Sequence, residues 1–146
     1  MSAIQLKAIR ESFFTAVFSL LGHIANCDGY INRNEIKRTQ AYMDKMELSA
    51  HCRSEAIHLF RAGASPTFDI YKSLIDFREA AQSKPNIIQV LLVYLISMAR
   101  TDGKLVKKEM DVVKQVADAL GYSSIVFDHL LNMIVAQDTF EKTASS

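Results

Sequence analysis

Two carboxylate pairs stand out among the residues whose types and spacing could do chemistry. Asp28 and Glu35 lie seven positions apart across an Asp-Gly turn, and Asp102 and Glu109 repeat the spacing. Oxygen donors from a turn and from the start of the next helix are the kind of set a divalent cation takes. An EF-hand is excluded, because Tyr30 and Arg33 stand where that loop needs a ligand and a glycine. Each pair also has an architectural explanation. Gly29 and Gly103 suit a tight turn, whose aspartate accepts bonds from nearby backbone N–H groups. Asn32 and Glu35 have the spacing of a capping box. The residue matching Asn32 in the second pair is Val106, which has no side-chain acceptor, so a cap accounts for Glu35 and not for Glu109. Arg33 and Lys37 near the first pair, and Lys104, Lys107 and Lys108 near the second, weaken the hold on a cation or offer salt bridges instead.

Other chemistry is thinly represented. His23 and Cys27 are four apart on a helical pattern, but a zinc site needs four ligands and no second pair converges on them. His51 and Cys52 are adjacent and point to different sides of a helix, which does not make a base and nucleophile. His58 and His129 stand alone. The five glycines form no phosphate loop, and neither a nucleophile elbow nor an HExxH pattern occurs. No catalytic residue and no enzyme activity are expected.

The 17 basic and 16 acidic residues leave a net charge of +1, so no global field draws nucleic acid or an anionic membrane. Arg33, Lys37 and Arg38, like Lys104, Lys107 and Lys108, occupy matching helix starts and read as solvated faces or as a surface for an acidic protein segment. Cys27 and Cys52 form no disulfide framework, which implies a reducing compartment. The most apolar run, Ile87 to Ala99, is interrupted by Gln89 and Ser97 and is shorter than a bilayer span. Met1 to Arg10 lacks a signal-peptide cleavage pattern, and a soluble cytoplasmic domain is expected.

Apolar side chains recur at helical spacing throughout, and the expected fold is all-α with about seven helices. The first runs from about Ala3 to Ala25, and the second from near Asn32 to Glu47 with Ile36, Met43 and Met46 inward. Ser49 caps the third, which carries Ala56, Ile57, Leu59 and Phe60 and ends at Gly63. The fourth covers about Phe68 to Gln82, presenting Ile70, Tyr71, Leu74, Ile75 and Phe77, and Pro85 opens a deeply buried fifth. The sixth carries Met110, Val113, Val116, Ala117 and Leu120 and stops at Gly121. Ser123 caps the last, with Phe127, Leu130, Leu131 and Ile134 inward. The domain is expected over 1–137, with 138–146 a flexible tail or the start of a linker, because the apolar period is lost there.

The chain repeats itself. Ala25, Asp28, Gly29 and Glu35 recur as Ala99, Asp102, Gly103 and Glu109, all 74 positions on, and the same ungapped offset pairs Phe13, Val17, Leu21 and Ile24 with Ile87, Leu91, Leu95 and Met98. Two copies of a helix, Asp-Gly turn, helix hairpin are therefore expected to pack against each other, with the third, fourth and seventh helices covering what remains.

The repeated Ala-x-x-Asp-Gly-x-[Ile/Leu]-x-x-x-Glu pattern resembles the TerB-like family of all-helical domains associated with tellurite resistance. The blocks Leu21-Gly22-His23-Ile24-Ala25, Tyr42-Met43-Asp44-Lys45-Met46, Leu59-Phe60-Arg61-Ala62-Gly63 and Leu120-Gly121-Tyr122-Ser123 are similar to the central domain of membrane-anchored, DnaJ-like co-chaperones, over about residues 10 to 136. The resemblance implies a TerB-like bundle whose parent is held at the cytoplasmic side of the bacterial inner membrane and stimulates an Hsp70 (DnaK) through a separate J domain. Pro66 and Pro85 follow Ser65 and Lys84, so the His-Pro-Asp motif of a J domain is absent from this stretch. The implied role is a non-catalytic interaction or regulatory domain for a protein client or regulator. The tellurite-resistance branch implies the alternative, a metal-binding stress domain, and its divalent cation falls on Asp28, Glu35, Asp102 and Glu109.

Overall fold

The computed structural model describes residues 3–27, 33–82, 84–100 and 107–145, with side chains placed throughout except at 5, 6 and 137–145. Among these residues there are seven helices and no strand. They are α1 (Ala3–Ala25), α2 (Arg33–Lys45), α3 (Ala50–Gly63), α4 (Ile70–Ala80), α5 (Asn86–Ala99), α6 (Lys107–Ala119) and α7 (Ser124–Ser145). The all-α bundle expected from periodicity is thus what forms. Helix α7 continues through 138–145, the stretch read as a tail. Both Asp-Gly turns, together with Asn32 and Val106, lie outside the described residues.

Helix α1 is the axis of the bundle. Its second half buries Ala16, Val17, Phe18, Leu20, Leu21, Ile24 and Ala25, apolar on every side, because α3, α4, α5 and α6 all pack against it. Ser19 is drawn into that environment and satisfied there, its hydroxyl donating to the Thr15 carbonyl at 2.6 Å. Helix α5 lies alongside with Leu91, Leu92, Leu95, Ile96 and Met98 fully enclosed, as its continuous apolar run requires.

Two glycines set the closest helix crossing. A Cβ at Gly22 would stand 1.9 Å from the Phe60 carbonyl oxygen, and one at Gly63 would stand 1.8 Å from that of Ser19. The backbones of α1 and α3 therefore touch where each helix lacks a side chain. Gly63, read as a helix stop, is the last residue of α3, and close approach rather than a left-handed turn explains it.

The repeat extends beyond the two hairpins. Helix α2 ends in a Schellman motif, with Leu48 N–H on Met43 O at 3.2 Å and Glu47 N–H on Asp44 O at 3.0 Å. Helix α6 ends identically 74 positions on, with Tyr122 N–H on Ala117 O at 2.9 Å and Gly121 N–H on Asp118 O at 3.0 Å. The left-handed residues also match, Glu47 at φ 56° and Gly121 at φ 92°. Ser49 Oγ then accepts from Cys52 N–H at 3.2 Å, and Ser123 Oγ from Val126 N–H at 3.3 Å. Three helices are repeated, α1–α2–α3 and α5–α6–α7, with α4 between the copies.

Four residues expected inside lie outside. Tyr71 and Ile75 of α4 are exposed, as are Ile36 (45%) and Ile57 (42%) on α2 and α3. The apolar stripes of these helices are wider than the surfaces available to cover them.

Candidate functional site

The two glutamates of the repeat are buried. Glu35 in the first turn of α2 is 2% exposed and Glu109 in the first turn of α6 is 0% exposed. A capping carboxylate sits at a helix surface, so sequence alone gave no signal for this depth. Each has an interaction partner in the fold, as a carboxylate removed from water requires. Asp28 and Asp102, the other two of the set of four, lie outside the described residues. Among the described residues, no three His, Cys, Asp or Glu side chains cluster as metal ligands.

The other polar candidates do not converge. His23 is half-buried, its ring 5.5 Å from that of Phe68, and burial lowers its pKa against the opposing effect of a bond to the Gly63 backbone. His51 pairs with Glu55 at 3.1 Å on the surface of α3, while the backbone N–H of Cys52 serves the Ser49 cap. His51, Cys52, Glu55 and His58, but not His23, line a broad, open groove of about 870 Å³ between α1 and α3 with Arg10, Glu11 and Phe14.

Arg38 leaves the set of exposed cations. Its guanidinium donates to the Ser97 carbonyl of α5. One turn on, Tyr42 stacks edge-on against Tyr94 with ring centres 5.0 Å apart, and burial raises the Tyr42 pKa. Helix α2 is therefore fastened to α5.

Because α3 is drawn onto α1 at the glycine contact, α2 and α3 are left apart. The cleft between them measures about 300 Å³ and is lined by Ile36, Met43, Ile57 and Phe60, with Arg61 at its edge. Treating Ile36 and Ile57 as core residues hides this cleft from sequence reasoning. The one hint was that Ile36 and Ile57 are each followed by outward positions bearing Lys37 and His58.

A seven-helix fold, a repeated three-helix unit and buried glutamates in matching first turns define a class, and the comparisons identify it. The family model described as tellurite resistance protein TerB matches residues 14–132, and the chain belongs to that family. Within it, the chain is similar to proteins named Co-chaperone protein DjlA. Identity to that of Shewanella oneidensis is 33% over 141 residues, covering 97% of this chain and 54% of the relative. The Aliivibrio fischeri relative is 32% identical over 91% of this chain and 47% of its own length, and that of Coxiella burnetii 36% over 68% and 37%. The chain thus spans about half the length of the curated relatives it matches. No solved structure matches it. The family resemblance seen in the short sequence blocks is thereby borne out.

Proposed function

We propose that this chain is a non-catalytic interaction or regulatory domain of a membrane-tethered J-domain co-chaperone serving an Hsp70. The likeness to relatives named as co-chaperones, across 97% of this chain but about half of theirs, carries the reading. Stimulation of Hsp70 ATP hydrolysis belongs to a J domain, and its His-Pro-Asp motif does not occur among these 146 residues. The work of this domain is then to engage a protein client or regulator while its parent is anchored at the inner membrane. No helix among the described residues is long and apolar enough to cross a membrane, which leaves anchoring to other parts of the parent. Adding the purified chain to its Hsp70 should leave ATP turnover at its basal rate, and clear stimulation by this chain alone would overturn the reading.

A second reading is favoured by one observation, the burial of Glu35 and Glu109 in matching first turns. On this reading a divalent cation is held by Asp28, Glu35, Asp102 and Glu109. Calorimetric titration with Ca²⁺, Mg²⁺ or Zn²⁺ should then give a saturable heat of binding, and the metal should raise the melting temperature, as mass action demands of a ligand specific to the folded state. Glu109→Gln, at the position a cap does not explain, should weaken both signals. No heat and no shift at millimolar metal removes the cation.

A further inference from the structure

We infer that the cleft between α2 and α3 is a docking groove for a short amphipathic segment of a protein partner, one that seats apolar side chains between Ile36 and Ile57 and carries acidic residues beside Arg33, Lys37 and Arg61. This rests on the interaction-domain reading and gives it a surface and a chemistry.

The floor is apolar and uncovered by the described residues, with Ile36 and Ile57 exposed beside the buried Met43 and Phe60. A volume of about 300 Å³ admits one or two large side chains and lies at the lower limit for small-molecule sites. Anchors of that size spaced along one helical face are how an amphipathic helix enters a groove.

Charge selects the flanks. Arg53 donates to Asp44 Oδ1 at 2.5 Å and to the Leu48 carbonyl at 3.2 Å, which pairs the acid that follows Met43 in α2. Arg61 of α3 lines the cleft, and on α2 Arg33 and Lys37 stand three positions before and one after the lining Ile36, all exposed. Over 33–43 the acidic residue is the buried Glu35, and α3 has none after Glu55, so among the described residues of these two stretches no exposed carboxylate answers those cations. The chain as a whole is nearly neutral, which makes this excess local.

The cleft is also not a by-product of the repeat. Met110, which matches Ile36, is 5% exposed, and Leu131, which matches Ile57, is partly buried, so the second copy does not present the same pair of exposed side chains.

The test uses the 146-residue chain and synthetic helical peptides with leucine and phenylalanine anchors, flanked by glutamate in one set and lysine in the other. The glutamate set should bind at least about tenfold more tightly than the lysine set, weaken with salt, and shift the methyl resonances of Ile36, Met43 and Ile57. Arg61→Glu and Ile57→Glu should each cut binding by about tenfold or more with melting temperature unchanged, since both sites are exposed. Equal binding of the two sets, binding of neither, or shifts confined to another surface overturns the groove. Methyl shifts driven by protein concentration alone assign the cleft to a second copy, and preferential binding of phosphatidylglycerol vesicles through these residues assigns it to a membrane surface; either result also overturns the proposal. Peptide shifts mapped elsewhere leave the interaction-domain reading standing, whereas Hsp70 stimulation by this chain ends that reading without reference to the cleft.

Discussion

The two copies of the three-helix unit share their caps and their buried glutamates, yet one is open and the other closed. In the second copy α6 packs firmly on α5 and α7 leans on α6, burying Met110, Val113, Val116 and Ala117. In the first, α3 packs on α1 instead, and α2 finds its support on α5 through Arg38 and Tyr42. The divergence traces to one crossing. Gly22 and Gly63 let α3 touch α1, whereas the residue matching Gly22 is Ile96, fully buried, whose bulk holds its surroundings apart. A duplicated unit keeps its chain path through its turns and caps, and changes its shape through side-chain volume at a single contact.

The largest expected effects test that crossing. Gly22→Ala or Gly63→Ala drives a methyl into a carbonyl that cannot retreat without moving a helix, and should cost about 3 kcal/mol. Ile96→Ala, at the matching place, should cost about as much for the opposite reason, a cavity. Urea unfolding of the three variants reads both, and a tolerated Gly63→Ala breaks the comparison. The next contrast is between Met110→Ala, expected to destabilise by about 2 kcal/mol, and Ile36→Ala, expected to stay below about 1 kcal/mol because that side chain is half in water. Equal losses would mean the first copy closes in solution.

Smaller effects lie in the caps. Glu47 holds a left-handed conformation that Gly121 adopts without strain, so Glu47→Gly should raise stability by roughly 0.5–1 kcal/mol and Gly121→Ala should lower it by a similar amount, both visible in thermal melts. The smallest is a pH effect. His23 is held below its usual pKa of 6.5 by burial, so the unfolded chain binds its proton more readily than the folded one. Its contribution is full above that value and declines as pH falls through it. Ser97, at the matching place, titrates nothing. His23→Gln should flatten the fall in melting temperature between about pH 7 and pH 5, and an unchanged slope assigns that fall to other groups.

Much of the architecture is legible in the amino-acid sequence. Periodicity locates the helices because their apolar residues must meet a core, and Ser49, Gly121 and Ser123 mark ends whose hydrogen bonds form as their residue types imply. The site was less legible. Ile36 and Ile57 fit the inward stripe of their helices, and which stripes are covered is decided by where α3 lies, through backbone contacts of Gly22 with Phe60 and of Gly63 with Ser19, residues distant in sequence. Periodicity reports what a helix can bury and not which neighbour arrives. Glu35 and Glu109 were singled out by repetition, but their depth depends on the packing of α2 and α6 and has no local signature.

The glycine contact has a further consequence for how recognition can diversify. Because main-chain atoms fix the separation of α1 and α3, and Arg38 and Tyr42 fasten α2 to α5, the spacing of the α2–α3 cleft is set outside its exposed lining side chains. Ile36, Ile57 and Arg61 can then be exchanged to suit a different segment at little cost in stability, while any enlargement at residues 22 or 63 alters shape and stability together. Specificity and scaffold are inherited on separate sets of positions.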